Sequence, residues 1–375
     1  MNNSSNVIGV NKMKNKINFK ILIPLYLILM IGIYMVYSSS HIWANYIYND
    51  GTYYLKRQFI FLILGTIMLF VGMKLNLNKV KKHTGLLLLF SLILLGLLLI
   101  PGLGVKRGGS VSWFGIGDFL FQPSELFKIA IVLYMANKLT DYYLQTNKFI
   151  KVIIPLLLPA IFGFFLIMLQ PDFGSGLVML AAVVIMCMVS KSRFKNYIFI
   201  GLIGTFAFAF LIISASYRVD RILAFFNPWK DPLGSGFQII QSLYAISPGG
   251  LIGRGVDGSF QKFFYLPEPQ TDFIFAIYAE EFGFIGSLLL ILLYIYLLNQ
   301  CFKSAMQSSN EFASFLKIGF TSLIAVQVFI NLGVVVGLLP VTGITLPFMS
   351  YGGSSLTLLM FSMGLIMNTS LEEIT

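Results

Sequence analysis

Asp272 is the acid in this chain whose surroundings best suit chemistry. It follows the polar run Leu-Pro-Glu-Pro-Gln-Thr at 266–271 and precedes the apolar run Phe-Ile-Phe-Ala-Ile. A carboxylate at the edge of an apolar segment can serve as a general base for a substrate carried on a lipid. From the residues alone, a helix N-cap is the favoured interpretation, with Thr271 competing for that position.

The elements that would position Asp272 are predicted to be membrane helices. The chain is 57% hydrophobic and 11% charged, with a mean hydropathy of +0.84. About 18 or more apolar residues in a row can span a bilayer. The pattern predicts an all-α polytopic membrane protein of about ten transmembrane helices, with no separate soluble domain. The predicted spans are 20–37, 58–75, 84–101, 123–137, 152–169, 175–190, 197–215, 272–298, 318–336 and 347–367.

The distribution of basic residues predicts the orientation. With the N-terminus in the cytoplasm, 16 Lys and Arg fall on inner segments and 9 on outer ones, with Lys128 inside a span. This asymmetry follows the positive-inside rule and places both termini in the cytoplasm. The net charge of +11 therefore indicates membrane topology, and no nucleic-acid partner is expected. The predicted parts are a tail at 1–18, a membrane domain at 19–368 whose first span is a retained anchor, and a tail at 369–375.

The cysteines and histidines indicate neither a disulfide framework nor a metal site. Cys187 and Cys301 lie far apart at predicted inner span ends. His41 and His83 are isolated, and His83 follows two lysines as interfacial residues do. No catalytic role is predicted for these residues.

Charged residues inside a membrane segment need a partner or a polar cavity. The fourth predicted span begins Gln122-Pro123-Ser124, which suits a helix start because proline is tolerated there and serine can cap. Glu125 and Lys128 then share one helix face at a spacing of i, i+3. They are predicted to form a buried structural ion pair, or to bind an anionic headgroup, and both can hold. Gln122 is a further candidate for substrate binding.

Two further polar segments interrupt the apolar pattern. In Gln-Pro-Asp-Phe-Gly at 170–174, Asp172 caps the next helix or lines a polar cavity. The segment 339–355 has two prolines and a cluster of small residues, among them Ser350, which favours tight helix packing over a direct role in binding. Glu280 and Glu281 lie deeper in the eighth span, so internal hydrogen bonds or ion pairs are predicted, with Glu281 lining a cavity as the alternative.

The segment 216–271, between spans seven and eight, is predicted to be one large extracytoplasmic loop. A loop of this length is more often functional than a simple connection. Its glycine-rich stretch at 248–255 lacks the Gly-Lys-Ser/Thr of a phosphate-binding P-loop. Aromatic residues and arginines suit a position on the membrane surface. The candidate substrate-binding cations of the loop are Arg218, Arg221, Arg254 and Lys262.

Five runs lie in order across nearly the whole chain: QPSELFK at 122–128, QPDFG at 170–174, NPWKDPLGSGFQIIQSL at 227–243, LPEPQTDFIFAIYAEEFGFIG at 266–286 and LLPVTGITLPFMSYGGSSL at 338–356. Together they resemble the SEDS family (shape, elongation, division and sporulation), typified by RodA, FtsW and SpoVE. The runs YLPEPQTDFIF and GITLP look most like the FtsW and SpoVE branch. The chain departs from the family pattern just before the loop tryptophan, Trp113. Relatives often carry a basic residue one or two positions earlier, where this chain has Ser112 and Val111.

The resemblance implies a peptidoglycan glycosyltransferase that polymerises lipid II at the outer face of the cytoplasmic membrane, in division, sporulation or cell shape. It places the essential acid at Asp272 and makes Glu125 and Lys128 an important pair. It also implies a class B penicillin-binding protein as the transpeptidase partner, among other divisome or sporulation proteins.

Two other functions stay open at this stage. Ten spans and intramembrane charge also suit a flippase or transporter of a lipid-linked precursor, although no internal repeat typical of transporters is visible. A scaffold that only positions the penicillin-binding protein is the third. A divalent ion, Mg²⁺ or Mn²⁺, could supplement the loop cations, but no ligand cluster in the sequence indicates one.

Overall fold

The computed structural model describes residues 17–107, 109–116, 119–145, 149–190, 195–198, 201–202, 204–205, 213 and 216–370. Within these residues the protein is a bundle of long helices joined by short turns and one long loop. The described α-helices are α1 Phe19–Tyr48, α2 Tyr53–Lys74, α3 Leu77–Leu97, α4 Pro123–Asp141, α5 Phe149–Leu169, α6 Phe173–Val189, α7 Ser216–Phe226, α8 Phe237–Ile246, α9 Ile274–Met306, α10 Glu311–Val335 and α11 Gly353–Ile366.

Six of these helices, α1, α2, α3, α5, α9 and α10, are long and apolar enough to cross a membrane. Helices α6 and α11 are equally apolar but shorter, and α4 carries a buried ion pair. The fold class is therefore the predicted one, an all-α polytopic membrane protein. The count of ten spans stays a prediction, because the predicted span 197–215 lies largely outside the described residues.

The first helix is longer than the sequence predicts. Its predicted span ends at 37, before a polar run, but α1 continues to Tyr48 and the following turn is short. The hydroxyls of Ser39 and Ser40 donate to the carbonyl oxygens of Met35 and Val36, each at 2.6 Å. Serine can remain in a helix when its hydroxyl bonds back to the preceding turn.

Small residues bring α2 and α11 into close contact. A Cβ added at Gly364 would lie 2.1 Å from the carbonyl oxygen of Leu69, and one at Gly72 would lie 2.7 Å from that of Phe361. A Cβ at Gly353 would overlap the ring of Phe61 at 2.4 Å. Helix packing in membranes relies on such close backbone approach, and the packing role predicted for the small residues of 339–355 agrees with this contact.

The segment between α3 and α4 contains a small sheet that the sequence pattern does not predict. Its three antiparallel strands run in the order β1-β2-β3, with Val105 opposite Trp113 and Lys106 opposite Val111. Strands β1 and β3 have three residues each, too few to give a clear alternation of polar and apolar residues, and in β2 the alternation is lost after Trp113. The strands are β1 Val105–Arg107, β2 Ser110–Ile116 and β3 Phe119–Phe121.

Helix α9 is broken at Gly283, where the backbone has φ 66° and ψ −164°. The glycine-rich stretch of the long loop lies against the break and bonds to its backbone. The amides of Arg254 and Gly255 donate to the carbonyl oxygens of Glu280 and Glu281, both at 3.0 Å. The stretch thus satisfies backbone groups that the break would otherwise leave without partners.

The predicted polar motifs meet at one end of the bundle, which we call the loop end. The hydroxyl of Ser112 donates to the carbonyl oxygen of Gln170 at 3.3 Å, and Arg221 Nη1 donates to that of Val341 at 3.1 Å. At the opposite end, Asn368 Nδ2 donates to the carbonyl oxygen of Gly72 at 2.8 Å. The fold therefore gathers segments from distant parts of the sequence around Asp272.

Candidate functional site

Asp272 lies just before α9, which begins at Ile274, two residues later than the predicted start of the eighth span. The backbone of Asp272 is fixed from two sides. Asn331 Nδ2, from α10, donates to the Asp272 carbonyl oxygen at 2.7 Å and to that of Ile344 at 2.6 Å. The hydroxyl of Ser350 donates to the carbonyl oxygen of Thr271 at 2.6 Å. The side chain of Asp272 makes no N-cap bond to α9, which has no side-chain cap. The cap interpretation is therefore wrong, and the carboxyl is left available for another role.

The Asp272 carboxyl faces the turn at 341–343. A Cβ placed on Gly343 would lie 3.5 Å from Asp272 Oδ2, so a side chain there would cover the carboxyl. Burial raises the pKa of Asp272 to about 7, and the charges of Glu268 and Asp172 add to the increase. Arg221 opposes them and favours the ionised form. A base with a pKa near the working pH can both accept and release a proton.

Asp172 caps α6 and also reaches the start of α4. Its Oδ1 accepts from the Ser175 amide at 3.2 Å, as predicted for an N-cap. Its Oδ2 accepts from Gln122 Nε2 at 2.9 Å and lies 3.5 Å from the Ser124 hydroxyl. Burial raises the pKa of Asp172, and its charge acts on Asp272. Asp172 and Gln122 therefore belong to the surroundings of Asp272 and also hold the fold together.

Glu125 and Lys128 form the predicted ion pair at 2.6 Å, with side chains 8% and 6% exposed. The pair lines a small cavity together with Gln327 of α10 and Ser362 of α11. The pair also acts on Asp172, whose pKa is raised mainly by burial. The charge of Lys128 opposes this increase and the charge of Glu125 adds to it. The pair thus links the cavity electrostatically to the site, and contact with a headgroup stays a prediction.

The fold divides the four predicted loop cations into two groups. Arg218 and Arg221 lie on α7, and Arg221 faces the same 341–343 turn as Asp272. Arg254 instead lies beside the break in α9, where its guanidinium stacks on Phe260 at 3.9 Å from the ring centroid. Arg221 is the predicted cation that the structure brings to the Asp272 carboxyl.

Lys262 does not fit the predicted role of substrate cation. Its side chain is 1% exposed and its Nζ is paired with Asp257 and, at 3.5 Å, with Glu281. A buried ammonium that two carboxylates already neutralise has no free face for a phosphate. Asp257 is a neighbour of Lys262 in the loop, but only the fold brings Glu281 to it, so the position of this lysine in a polar loop did not reveal its burial.

Glu280 and Glu281 make the internal hydrogen bonds that their depth in the span predicts. Glu280 accepts from the Ser259 hydroxyl at 2.5 Å and from the Phe260 amide at 2.9 Å. Glu281 accepts from the hydroxyls of Tyr34 at 2.9 Å and Ser38 at 2.5 Å. Both side chains are buried at the break in α9 and hold the loop to the bundle.

Trp113 is half-buried in β2 and pairs with Val105 across the sheet. The same register places Lys106 opposite Val111, one of the positions where relatives often carry a base. The sheet therefore brings a basic residue alongside that position from the neighbouring strand, which the linear spacing does not show.

Asn331 is a residue of the site that the sequence analysis missed. It is 1% exposed and bridges Asp272 to the 339–355 segment. Gln327, one turn earlier on α10, donates to the carbonyl oxygen of Thr345 at 3.1 Å. A side-chain amide inside an apolar span is costly unless it is paired. The presence of two such amides in this span could therefore have identified both residues from the sequence.

Among the residues that the structure describes, no three His, Cys, Asp or Glu side chains are grouped closely enough to hold one ion. The cysteines, Cys187 and Cys301, are buried thiols on different helices.

The fold and the site define a polytopic helical membrane protein with acids and cations at one end of its bundle. The family model described as "Cell cycle protein", that of FtsW, RodA and SpoVE, matches residues 19–374. The chain belongs to this family, as the sequence motifs predict.

Relatives and a solved structure agree with this membership over nearly the whole chain. Stage V sporulation protein E of Bacillus subtilis (strain 168) is 48% identical over 344 residues, covering 92% of this chain and 94% of that protein. A probable peptidoglycan glycosyltransferase FtsW of Trichlorobacter lovleyi is 39% identical, covering 90% and 89%. A chain in the structure described as "Structural coordination of polymerization and crosslinking by a peptidoglycan synthase complex" gives a TM-score of 0.77 at 30% identity, covering 96% and 99%.

Proposed function

We propose that this chain is a peptidoglycan glycosyltransferase that polymerises lipid II into glycan strands, in cell division or sporulation. The proposal is supported by family membership and by relatives that are named for this activity or for sporulation. The observation that carries it in this chain is the Asp272 carboxyl, which shares the 341–343 turn with Arg221.

In the proposed reaction Asp272 acts as the general base. Its carboxylate takes the proton from a sugar hydroxyl of one substrate, and that oxygen forms a bond to the anomeric carbon of the other. The bond from that carbon to the pyrophosphate oxygen breaks in the same displacement, which inverts the configuration. The pKa of about 7 suits a base that works near neutral pH.

The leaving pyrophosphate needs positive charge, and Arg221 is the cation we assign to it. Arg218 is placed one turn earlier on α7, at a spacing that puts both side chains on one helix face. Cations held at a leaving phosphate stabilise the charge that develops in the transition state. We further propose that the Glu125–Lys128 pair contacts the headgroup from the cavity side, and that Gln122 and Asp172 keep this wall of the site in place.

The loop end is proposed to face outward from the cytoplasmic membrane, with both termini in the cytoplasm and ten spans in all. We also propose a class B penicillin-binding protein as the partner that crosslinks the new strand. The structural neighbour described as a peptidoglycan synthase complex supports the idea of such an assembly. We assign no step to a resident metal, and propose that any divalent ion enters with the pyrophosphate of the substrate.

The deciding experiment is a gel assay of labelled lipid II with the purified protein, alone and with its penicillin-binding partner. The wild type is expected to give a ladder of glycan, while Asp272→Asn loses about 10²–10⁴-fold of the rate, as expected when a general base is removed. Lipid II binding should be retained, because asparagine keeps the shape of the side chain. Adding EDTA, and then Mg²⁺ or Mn²⁺, tests whether an ion accompanies the substrate.

The other outcomes separate the alternatives. Glu268→Gln is the matched control, because it removes an exposed carboxylate near Asp272 and should keep the ladder. Equal ladders from wild type and Asp272→Asn would mean that the base is elsewhere. No ladder from the wild type, even with the partner, would favour a transporter or a scaffold.

A further inference from the structure

A charge cluster lies beside the break in α9 and belongs to none of the proposed chemistry. We define it as Lys262, Asp257, Glu281, Tyr34 and Ser38. Its charged core, Lys262 and Glu281, is buried, whereas the side chain of Asp257 is 57% exposed. Lys262 Nζ pairs with both carboxylates, and Glu281 accepts from both hydroxyls. Three parts of the chain that are distant in sequence, α1, the long loop and α9, therefore meet at this one cluster.

Each member is tied to more than one partner. The Tyr34 hydroxyl donates to Glu281 at 2.9 Å and accepts from the Asp257 amide at 3.0 Å. Lys262 also donates to the Asp257 carbonyl oxygen at 2.8 Å. The side chains of Glu281 and Lys262 are 0% and 1% exposed. Buried charges joined in this way fix geometry, because breaking either side leaves the other uncompensated.

The position of the cluster on α9 gives it a consequence for Asp272. Glu281 is in the last turn before the break at Gly283, and Asp272 lies just before the first turn of the same helical segment. Because the helix is not continuous through Gly283, the long part of α9 beyond the break does not by itself set the direction of 274–282. The loop, held to Glu280 and Glu281, supplies that restraint.

We propose that Lys262 and Glu281 are positioning residues for the glycosyl transfer: their buried pair fixes the segment 274–282 and so the placement of Asp272. The inference rests on the proposed function of Asp272 as base. A misplacement of a catalytic group by about 1 Å can cost roughly 10²-fold in rate. Loss of the pair should therefore lower kcat without changing how lipid II binds.

The test uses the double variant Lys262→Met/Glu281→Gln in the full-length protein. Removing both charges together avoids an unpaired buried charge, so the variant is expected to fold with a melting temperature close to that of wild type. We expect kcat to fall about 10- to 100-fold with KM for lipid II unchanged. The midpoint of the pH profile of kcat should move to lower pH, because Asp272 leaves its buried position.

Two controls separate positioning from simple stability. The charge swap Lys262→Glu/Glu281→Lys, made with Asp257→Asn so that the new carboxylate does not face a second one, restores an ion pair and should recover part of kcat. The exposed pair Asp50 and Lys56, 2.8 Å apart, gives the matched control Asp50→Asn/Lys56→Met, which should leave kcat unchanged. Wild-type kcat and an unmoved pH midpoint in the folded double variant would overturn the proposal.

A second variant and a second measurement keep the outcome decisive. If the double variant does not fold, Tyr34→Phe, which removes two hydrogen bonds and no charge, should still lower kcat several-fold, and a wild-type value would overturn the proposal. Hydrogen–deuterium exchange of 271–282 should be faster in whichever variant folds. This readout does not need polymerase activity, so an inactive wild type would contradict the proposed function while exchange still decides the positioning role.

Discussion

At the scale of single residues, the site depends on how the surroundings of one carboxyl balance its two protonation states. Burial and the charges of Glu268 and Asp172 favour the neutral acid, and Arg221 favours the ionised base. The result is a pKa of about 7 for Asp272, compared with the ordinary value of 3.8. A base in this state is half ionised near neutral pH, which links the activity directly to pH.

The pH dependence follows from this pKa. As a base, Asp272 must be ionised, so kcat/KM for lipid II should rise with pH through about 7 and level off above it. For stability the sign is opposite. A raised pKa in the folded state stabilises the fold at low pH, and that contribution is lost as pH rises through about 7. The measurement is the initial rate of glycan formation from pH 5 to 9.

Two variants test the assignment of this pKa. Glu268→Gln removes a charge that raises the pKa of Asp272, so the rising limb of the plot of kcat/KM against pH should move to lower pH. Arg221→Met removes the charge that lowers it, so the limb should move to higher pH, together with a loss of rate if Arg221 holds the pyrophosphate. A limb that stays at the same pH in both variants would mean that another group controls the profile.

At the scale of elements, the break in α9 and the glycine-rich stretch depend on each other. The stretch approaches so closely that a Cβ at Gly253 would lie 2.1 Å from the carbonyl oxygen of Glu281. Both Gly253 and Gly283 have positive φ, which residues with a side chain rarely adopt. The glycines of 248–255 therefore serve backbone contact between loop and helix, consistent with the sequence-based argument that they are not a phosphate-binding loop.

Alanine substitution separates close contact from backbone strain. Gly253→Ala and Gly255→Ala both place a side chain at positive φ, at 83° and 93°. A Cβ at Gly255 meets nothing within 4 Å, whereas one at Gly253 would overlap the α9 backbone. Gly255→Ala should cost about 1 kcal/mol of unfolding free energy, and Gly253→Ala clearly more. The measurement is thermal unfolding in detergent, and equal losses would contradict the contact seen here.

At the scale of the whole molecule, the two ends of the helix bundle differ, and this difference predicts how the protein is oriented in the membrane. The polar motifs gather at the loop end, and the Asn368 contacts with Gly72 and Leu75 lie at the opposite end. The excess of Lys and Arg on the predicted inner segments predicts, through the positive-inside rule, that this opposite end faces the cytoplasm. The site would then open toward the outer face, where glycan is assembled.

Single cysteines test this orientation. Leu233 is 88% exposed on the long loop, and Lys79 and Ser309 are exposed at the opposite end. Leu233→Cys should react with a membrane-impermeant maleimide on intact cells, whereas Lys79→Cys and Ser309→Cys should react only after permeabilisation. The native Cys187 and Cys301 are buried and should contribute little background. Reaction of all three on intact cells would contradict the topology.

Sequence by itself determined the class of the protein and its family. Spans of apolar residues predict helices because a bilayer requires internally bonded backbone, and charges near the span ends predict orientation. It also singled out Asp272 and the Glu125–Lys128 pair, since a charge is conspicuous in or beside an apolar segment and i, i+3 spacing brings two of them together.

The tertiary structure decided which of those residues work together. Arg221 and Lys262 are both loop cations in the sequence, yet Arg221 lies by Asp272 while Lys262 is buried against Glu281. Asn331, 59 residues further along the chain, donates to the backbone carbonyl oxygen of Asp272 from another helix. Side-chain patterns report the neighbours within a helix or strand, but contacts between distant segments follow from how the elements pack, and the chemistry of this site depends on those contacts.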